Sequence, residues 1–250
     1  MPRVVKVKSQ LKTNKNKAWL YTAFAVFFTL LFFIAGIVML AAILLKKSAL
    51  PIAFPIMFLC LSLVLLAIFT ANRKKFSILK SGVQGEKTVL EVLKRLPKDY
   101  TVITNPVIYN RGKVNELDFV VIGKNGVFIV EAKNYRGIIS GKTSQQSWKQ
   151  TKHGKNDRVY EKEVGNPVKQ AHRQGRIMLQ VFGDFDISAD VYPIVYFVDG
   201  KSVLRITDDA QTGVAVMNSE DMLLDYIVNT KGKNTVDSSE LSKIIRFFKK

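Results

Sequence analysis

Residues 115–133, NELDFVVIGKNGVFIVEAK, carry the pattern that is most informative about the fold. Two runs within it, 115–122 and 127–132, are rich in β-branched and aromatic residues and flank the turn-forming tripeptide Lys124-Asn125-Gly126, which predicts a β-hairpin. Apolar residues fill neighbouring as well as alternating positions, so both faces of each strand are apolar. Such strands are covered on both sides, and we expect a mixed sheet flanked by helices.

The hairpin brings its charged residues together. A two-residue loop closed by Gly123 and Gly126 places Asp118 opposite Glu131, whereas a loop shifted by one residue places Asp118 opposite Lys133 and diagonal to Glu131. Either register puts the three charged side chains on one face, because side chains two positions apart share a face. Two neighbouring carboxylates on apolar strands repel each other unless a positive charge, such as a divalent cation, lies between them. The spacing is equally compatible with carboxylates that lie at strand ends in water, or with a simple ion pair between Lys133 and one of them.

The flanking sequence supplies the rest of an α/β domain. Apolar spacing predicts a helix over 77–96 that ends before Pro97, and Asn166-Pro167 caps a helix that continues to about 182. Residues 137–165 are expected to be polar and irregular, with short possible strands around Ile138 and Trp148. The other predicted elements are strands at 100–109 and 191–198, two weaker strands near Val203 and Val214, and helices at about 219–228 and 238–248.

Residues 18–45 and 48–72 carry no charged side chain, and each run exceeds the roughly 20 apolar residues needed to cross a bilayer. We therefore expect two transmembrane helices, at about 18–45 and 49–71, that form a hairpin. Basic residues flank the pair on its outer sides, and only Lys46 and Lys47 lie between the runs. The positive-inside rule then places both termini and the soluble domain in the cytoplasm.

The charged residues are distributed unevenly. All 20 acidic residues lie from Glu86 onward, and the net charge is +18, which favours nucleic acid or anionic lipid as a partner. Cys60 is the single cysteine and the histidines number 2, so a zinc site of several cysteines is excluded. A metal site would be built from carboxylates, which suits magnesium or manganese.

The order of these motifs resembles a known family. Gly85-Glu86, Glu116-Leu117-Asp118, Glu131-Ala132-Lys133 and Asn166-Pro167-Val168-Lys169-Gln170 follow one another as in the nuclease-related domain (NERD) family, over roughly residues 80–195. That family is a branch of the PD-(D/E)XK nuclease-like superfamily. The resemblance implies a restriction-endonuclease-like fold.

The resemblance also implies a site and its chemistry. The residues that fill the family's catalytic positions are Glu86, Asp118, Glu131, Lys133 and Gln170. Asp118 and Glu131, with Glu86 through water and the Ala132 carbonyl, would hold one or two Mg²⁺ or Mn²⁺ ions. Lys133 would orient or help to deprotonate the attacking water, and Gln170 would position the lysine or the phosphate.

The segment 142–162 is dense in basic residues and is the candidate nucleic-acid contact. Its basic side chains would neutralise phosphates, and Trp148 would stack on an unpaired base, although the same residue could instead lie in the core. The residues assigned to this contact are Lys142, Lys149, Lys152, Lys155, Arg158 and Trp148.

The sequence thus predicts a basic N-terminal segment (1–17), two transmembrane helices (18–72), a nuclease-related domain (76–200) and C-terminal strands and helices that complete it (201–250). The leading hypothesis is a membrane-anchored, metal-dependent nuclease that hydrolyses DNA or RNA. The chief alternative is a catalytically weak module that binds nucleic acid or a protein beside the membrane. A third hypothesis is a structural protein whose basic face lies on anionic lipid.

Overall fold

The computed structural model describes residues 1–46, 49–110, 112–154, 158–234 and 236–248, except for the side chain of Ser238. The chain divides into two compact units, one formed by Gln10–Val83 and one formed by Met1–Ser9 together with Gln84–Lys250. The first nine residues therefore belong to the same unit as the C-terminal part of the chain.

The first unit is built from two long apolar helices, α1 (Gln10–Leu44) and α2 (Ala53–Leu93), and α2 continues into the second unit. Both helices are long and apolar enough to cross a membrane. They approach closely at Gly36, where an added Cβ would lie 2.9 Å from Leu59 Cγ. The boundaries differ from those predicted, because α1 begins before residue 18 and α2 absorbs the helix predicted at 77–96. No proline interrupts the chain between Pro55 and Pro97, and the intervening basic residues are good helix formers.

The second unit contains all the strands found among the described residues. In chain order they are β1 (Arg3–Lys6), β2 (Thr101–Thr104), β3 (Val107–Asn110), β4 (Lys113–Glu116), β5 (Phe119–Gly123), β6 (Gly126–Lys133), β7 (Ile138–Lys142), β8 (Ser147–His153), β9 (Val159–Gly165), β10 (Val191–Phe197), β11 (Val203–Thr207) and β12 (Ala215–Met217). Its further helices are α3 (Pro167–Asp184), α4 (Glu220–Asn229) and α5 (Ser238–Phe247).

A six-stranded mixed sheet forms the centre of this unit, with the order β1-β2-β5-β6-β10-β12. The β5–β6 hairpin is antiparallel, whereas β10 runs parallel to both β6 and β12. At the other edge β1 runs parallel to β2. The N-terminal residues predicted to be only a basic segment thus supply an edge strand.

Both faces of the sheet are covered, as the apolar hairpin predicted. One face packs against α3 and α5, where Met178 and Ile244 are buried. The other face packs against the end of α2 and α4, where Leu93 and Leu223 are buried. The expected mixed sheet between helices is confirmed.

Residues 137–165 were predicted to be irregular apart from short possible strands around Ile138 and Trp148. Those two strands are observed as β7 and β8, whereas the irregular structure predicted for the end of the segment was wrong, because residues 159–165 form β9. The three strands join β11 in a four-stranded sheet. Most side chains of β8 and β9 are polar, so these strands lack the apolar alternation that identifies a strand in a sequence. A small core that includes Ile139, Trp148 and Val164 holds this sheet against the start of α3 and the end of β10.

Candidate active site

The register of the hairpin places two carboxylates side by side. Gly123 pairs with Gly126 and Phe119 pairs with Val130, so the loop is the two-residue one and Asp118 lies across from Glu131. Asp118 stands immediately before β5, and its Oδ2 accepts a hydrogen bond of 2.8 Å from the main-chain N–H of Ala132. The first of the two registers considered above is therefore the observed one.

Lys133 completes this face of the hairpin. Its Nζ lies 2.5 Å from Glu131 Oε1, and the Glu131 side chain is only 3% exposed. The two residues are two positions apart on β6 and point to the same side. The ion pair is therefore largely shielded from water. An unpaired charge in such a buried position would be costly.

Helix α3 presents two glutamines to this pair. Asn166 caps the helix by accepting hydrogen bonds from the N–H groups of Val168 and Lys169, as its sequence position predicts. One turn further along, Gln170 Oε1 accepts a hydrogen bond of 3.1 Å from Lys133 Nζ. One turn beyond that, Gln174 Nε2 donates to Glu131 Oε2 over 2.9 Å.

Gln174 is the first of two site residues that the sequence motifs did not identify. A signal for it exists, because Gln174 falls on the same helical face as the apolar Ala171 and Met178. A polar residue on a buried face needs a hydrogen-bond partner, so the helical pattern alone could have marked it.

Glu86 approaches the site from α2. Gly85 allows the helix to come close to the chain after β6, since an added Cβ would lie 3.0 Å from the Cβ of Asn134. Asn105 joins Glu86 to the hairpin, because its Nδ2 lies 3.3 Å from Glu86 Oε2 and its main-chain N–H donates to the carbonyl oxygen of Asp118. Asn105 is a second site residue that sequence reasoning missed.

Burial and repulsion raise the pKa of Asp118 well above its usual value. Burial contributes most, followed by the negative charge of Glu131; Glu86 adds a smaller effect in the same direction. The Ala132 N–H and the Lys133 charge oppose this rise without cancelling it. A cation at this position would relieve the repulsion that raises the pKa.

The pKa of Lys133 is also raised. Burial acts to lower it, but the charge of Glu131 and the hydrogen bond to that carboxylate outweigh the effect of burial. Lys133 is therefore a protonated hydrogen-bond donor at neutral pH. This state suits stabilisation of negative charge on a phosphate better than removal of a proton from water.

The candidate metal site consists of two neighbouring carboxylates and not of a cluster of three. Among the described residues, no group of three or more histidine, cysteine, aspartate or glutamate side chains is arranged to hold a metal ion. The predicted metal set of Asp118, Glu131 and Glu86 is thus not assembled as a three-carboxylate cluster. The donors at the Asp118–Glu131 pair are nevertheless all oxygen atoms, and their mutual repulsion suits a hard divalent cation.

Among the predicted nucleic-acid contacts, Lys142 lies on β7 and Trp148, Lys149 and Lys152 lie on β8, and for Trp148 the alternative of a place in the core is the observed one. Trp148 is 1% exposed and its Nε1 donates to the carbonyl of Lys142, so its ring is not available to stack on a base. Lys149 is exposed but pairs with Glu161 at 3.0 Å. The other described members of the set, Lys142, Lys152 and Arg158, are exposed, and Lys155 lies outside the described residues.

Comparison with known proteins agrees with the site. Residues 81–198 match the family model of the nuclease-related domain, NERD, and this interval contains Glu86, Asp118, Glu131, Lys133 and Gln170. This part of the chain is a nuclease-related domain of the NERD family, which is consistent with the PD-(D/E)XK nuclease-like superfamily.

A curated relative adds little about activity. An uncharacterised protein of Bacillus anthracis is 42% identical over 71 residues, which cover 28% of this chain and 34% of that protein. The match therefore spans about a third of the relative's own length. No solved structure matches the chain.

Proposed function

We propose that the protein is a membrane-anchored, metal-dependent nuclease that hydrolyses phosphodiester bonds of DNA or RNA in the cytoplasm. The observation that carries this proposal is the joint placement of Asp118, Glu131, Lys133 and Gln170 within the nuclease-related domain. Hydrogen bonds link Glu131 to Lys133 and Lys133 to Gln170. Asp118 is near enough for the charge of Glu131 to raise its pKa.

Each residue has a role that its chemistry supports. Asp118 and Glu131 would hold Mg²⁺ or Mn²⁺, and Glu86 would act on the site through water. A bound divalent ion supplies charge stabilisation at the scissile phosphate and lowers the pKa of a bound water. Lys133 donates hydrogen bonds to phosphate oxygen, and Gln170 keeps the ammonium group in place.

The fold is proposed to be restriction-endonuclease-like. In support, a mixed sheet with helices on both faces carries the acidic and basic residues at neighbouring strand ends. The order of the site elements along the chain, from helix to hairpin to helix, also follows the order implied by the family resemblance.

Membrane anchoring rests on two observations. The helices α1 and α2 are long and apolar enough to span a bilayer. In addition, β1 lies before both helices in the chain and β2 lies after them, yet the two strands pair in one sheet. An even number of crossings leaves both strands on the same side of a membrane, as a two-helix hairpin requires. The basic residues outside the hairpin favour the cytoplasmic side.

The exposed basic residues Lys142, Lys152 and Arg158 belong to the same unit as the site and are the proposed phosphate contacts. Such contacts would make binding weaken as salt rises. They carry no base specificity by themselves, because they contact only the backbone of the nucleic acid.

A cleavage assay on the full chain in detergent tests the proposal. Labelled single- and double-stranded DNA and RNA would be incubated with Mn²⁺ or with a chelator, using the wild type, Glu131→Gln and the control Glu220→Gln. Glu220 is an exposed acid at the start of α4 that pairs with Arg95. We expect Mn²⁺-dependent product from the wild type and the control, and a rate at least about 100-fold lower for Glu131→Gln.

A second candidate function is a nuclease-like module that binds nucleic acid without cutting it. The absence of a three-ligand cluster among the described residues, together with the engagement of both Glu131 oxygens by protein donors, favours it. It predicts no product under any condition but salt-sensitive binding that survives Glu131→Gln. Cleavage by the wild type would exclude it.

A further inference from the structure

The two glutamines of α3 make parallel contacts with the strand below them. Gln170 and Gln174 are one helical turn apart, and Lys133 and Glu131 are two residues apart on β6. Each glutamine holds one member of the ion pair. The family resemblance accounts for Gln170 alone, so the contact of Gln174 with Glu131 needs its own explanation.

The hydrogen bonds define which way the Gln174 amide points. Glu131 Oε1 already accepts from Lys133, and the carboxylate offers Oε2 as a further acceptor. An amide oxygen turned toward Oε2 would face another oxygen, so the NH₂ group must point there. Gln174 Oε1 then points away from the carboxylate.

Gln174 Oε1 has no hydrogen-bond donor in the described part of the chain. Among the described residues, Gln174 Oε1 is the buried side-chain oxygen or nitrogen for which the protein supplies no hydrogen bond. The residue as a whole is 3% exposed. A buried acceptor without a donor costs free energy, and a native protein usually satisfies it with a water molecule or a ligand.

Apart from the Glu131 carboxylate, the groups that surround Gln174 do not require a polar residue. Its neighbours on the same helical face include the buried Ala171 and Met178. Gly175 lies against Pro193 of β10, which brings the helix close to the sheet without help from the amide. An apolar side chain of similar length would pack as well in this position.

We propose that Gln174 is a positioning residue for the metal site, in which Nε2 sets the orientation of the Glu131 carboxylate and Oε1 accepts a hydrogen bond from a water molecule that accompanies the bound metal. The inference rests on the proposed nuclease function. It extends that function by assigning to the second glutamine of α3 a role in metal affinity and turnover.

The test compares Gln174→Met with Gln180→Met in the full chain in detergent. Gln180 lies on the same helix, is exposed and accepts a hydrogen bond from Asn110, so it provides the same substitution away from the site. The melting temperature would be recorded without divalent ions and across a Mn²⁺ titration. The kcat and KM for a labelled oligonucleotide would be measured at saturating Mn²⁺.

We expect Gln174→Met to melt within a few degrees of the wild type when no divalent ion is present. The Mn²⁺ concentration that gives half of the thermal shift should rise about 10- to 100-fold, as is usual when a residue that orients a metal ligand is removed. The kcat should fall while KM for the oligonucleotide changes little. Gln180→Met should match the wild type in every measurement.

The proposal would be overturned if Gln174→Met showed the same dependence on Mn²⁺ as the wild type. This holds even if the melting temperature of the variant without metal is lower, because the glutamine would then serve only to hold the helix against the strand. If Gln174→Met does not fold, Gln174→Asn replaces it, since its amide is one methylene too short to reach Glu131, and the same shift in Mn²⁺ dependence is expected. A wild type that neither shifts with Mn²⁺ nor cleaves would remove the proposed function and this inference together. If the wild type cleaves with Mn²⁺ and only the expected change in Gln174→Met is missing, the nuclease proposal still stands.

Discussion

Asn105 connects two acidic parts of the site through one backbone turn. Its φ is 52°, a left-handed conformation that asparagine adopts more readily than most residues. Its side chain contacts Glu86, and its main chain holds the carbonyl of Asp118. The strands predicted as one element over 100–109 are split at this position into β2 and β3.

Substitution of Asn105 separates its two roles. Asn105→Ala should lower the free energy of unfolding by about 2 kcal/mol, because alanine is strained in the left-handed region and the Glu86 contact is lost. Asn105→Gly loses the contact but keeps the turn, so the cost should be about half as large. Urea unfolding of the full chain measures both. Equal losses for the two variants would show that the left-handed turn is not the source of the effect.

The order of motifs along the sequence selected most residues of the candidate site but omitted Gln174 and Asn105. Asp118, Glu131 and Lys133 could be chosen because charged residues on apolar strands are conspicuous, and Glu86 and Gln170 could be added from the family resemblance. Gln174 and Asn105 are neutral, and nothing in the motif order selects them. The helical pattern could have marked Gln174 as a polar residue on a buried face, whereas the importance of Asn105 depends on a turn whose position only packing decides.

At the scale of elements, β1 is the largest departure from prediction. Four residues in a basic segment carry little apolar signal, and the partner strand β2 lies beyond both long helices. Pairing over such a sequence separation cannot be read from a local pattern. The hairpin, by contrast, was predictable because its strands, its turn and its pairing lie within 19 residues.

Strand β1 should contribute measurably to stability. Val5 is partly buried against the core on the α3 and α5 side of the sheet. We expect Val5→Asn to lower the free energy of unfolding by about 2 kcal/mol, since an apolar side chain is exchanged for a polar one without a partner. The exposed Arg3 on the same strand provides the control Arg3→Asn, which should be nearly neutral. Equal effects would argue against the pairing of β1 with β2.

Asp190 secures the chain between α4 and α5. It accepts hydrogen bonds from the N–H groups of Lys233 and Asn234 and from the Asn234 side chain, and these bonds lower its pKa. A carboxyl with a lowered pKa in the folded state stabilises the fold above its unfolded pKa, and this contribution is lost as pH falls through the folded value. Asp190→Asn should therefore cost about 1 kcal/mol at pH 7. The difference from the wild type should shrink steadily as the solution is acidified below about pH 4. A difference independent of pH would contradict this account.

At the scale of the molecule, the sheet imposes a topology on the chain. Because β1 and β2 pair, the segments before α1 and after α2 lie on the same side of any membrane that the two helices cross. Only the short connection near residue 49 would then lie on the opposite side. The uncharged runs predicted these two long helices, but the start of α1 and the end of α2 extend beyond the runs because helix formation continues through the flanking polar and basic residues.

Cysteine accessibility tests this arrangement. In a Cys60→Ser background, Ala49→Cys should react with a membrane-impermeant maleimide on intact bacterial cells. Lys231→Cys, which lies in the same unit as the active site, should react only after lysis. Labelling of both positions, or of Lys231→Cys alone, on intact cells would reject the proposed orientation.

The proposed chemistry requires that Asp118 and Glu131 hold one divalent cation beside Lys133. Anomalous diffraction from crystals of the full chain grown with Mn²⁺ tests it most directly. We expect a Mn²⁺ peak within about 2.3 Å of an oxygen of each carboxylate, and loss of that peak in crystals of Asp118→Asn. A Mn²⁺ peak bound elsewhere, or a site left empty at saturating Mn²⁺, would contradict it.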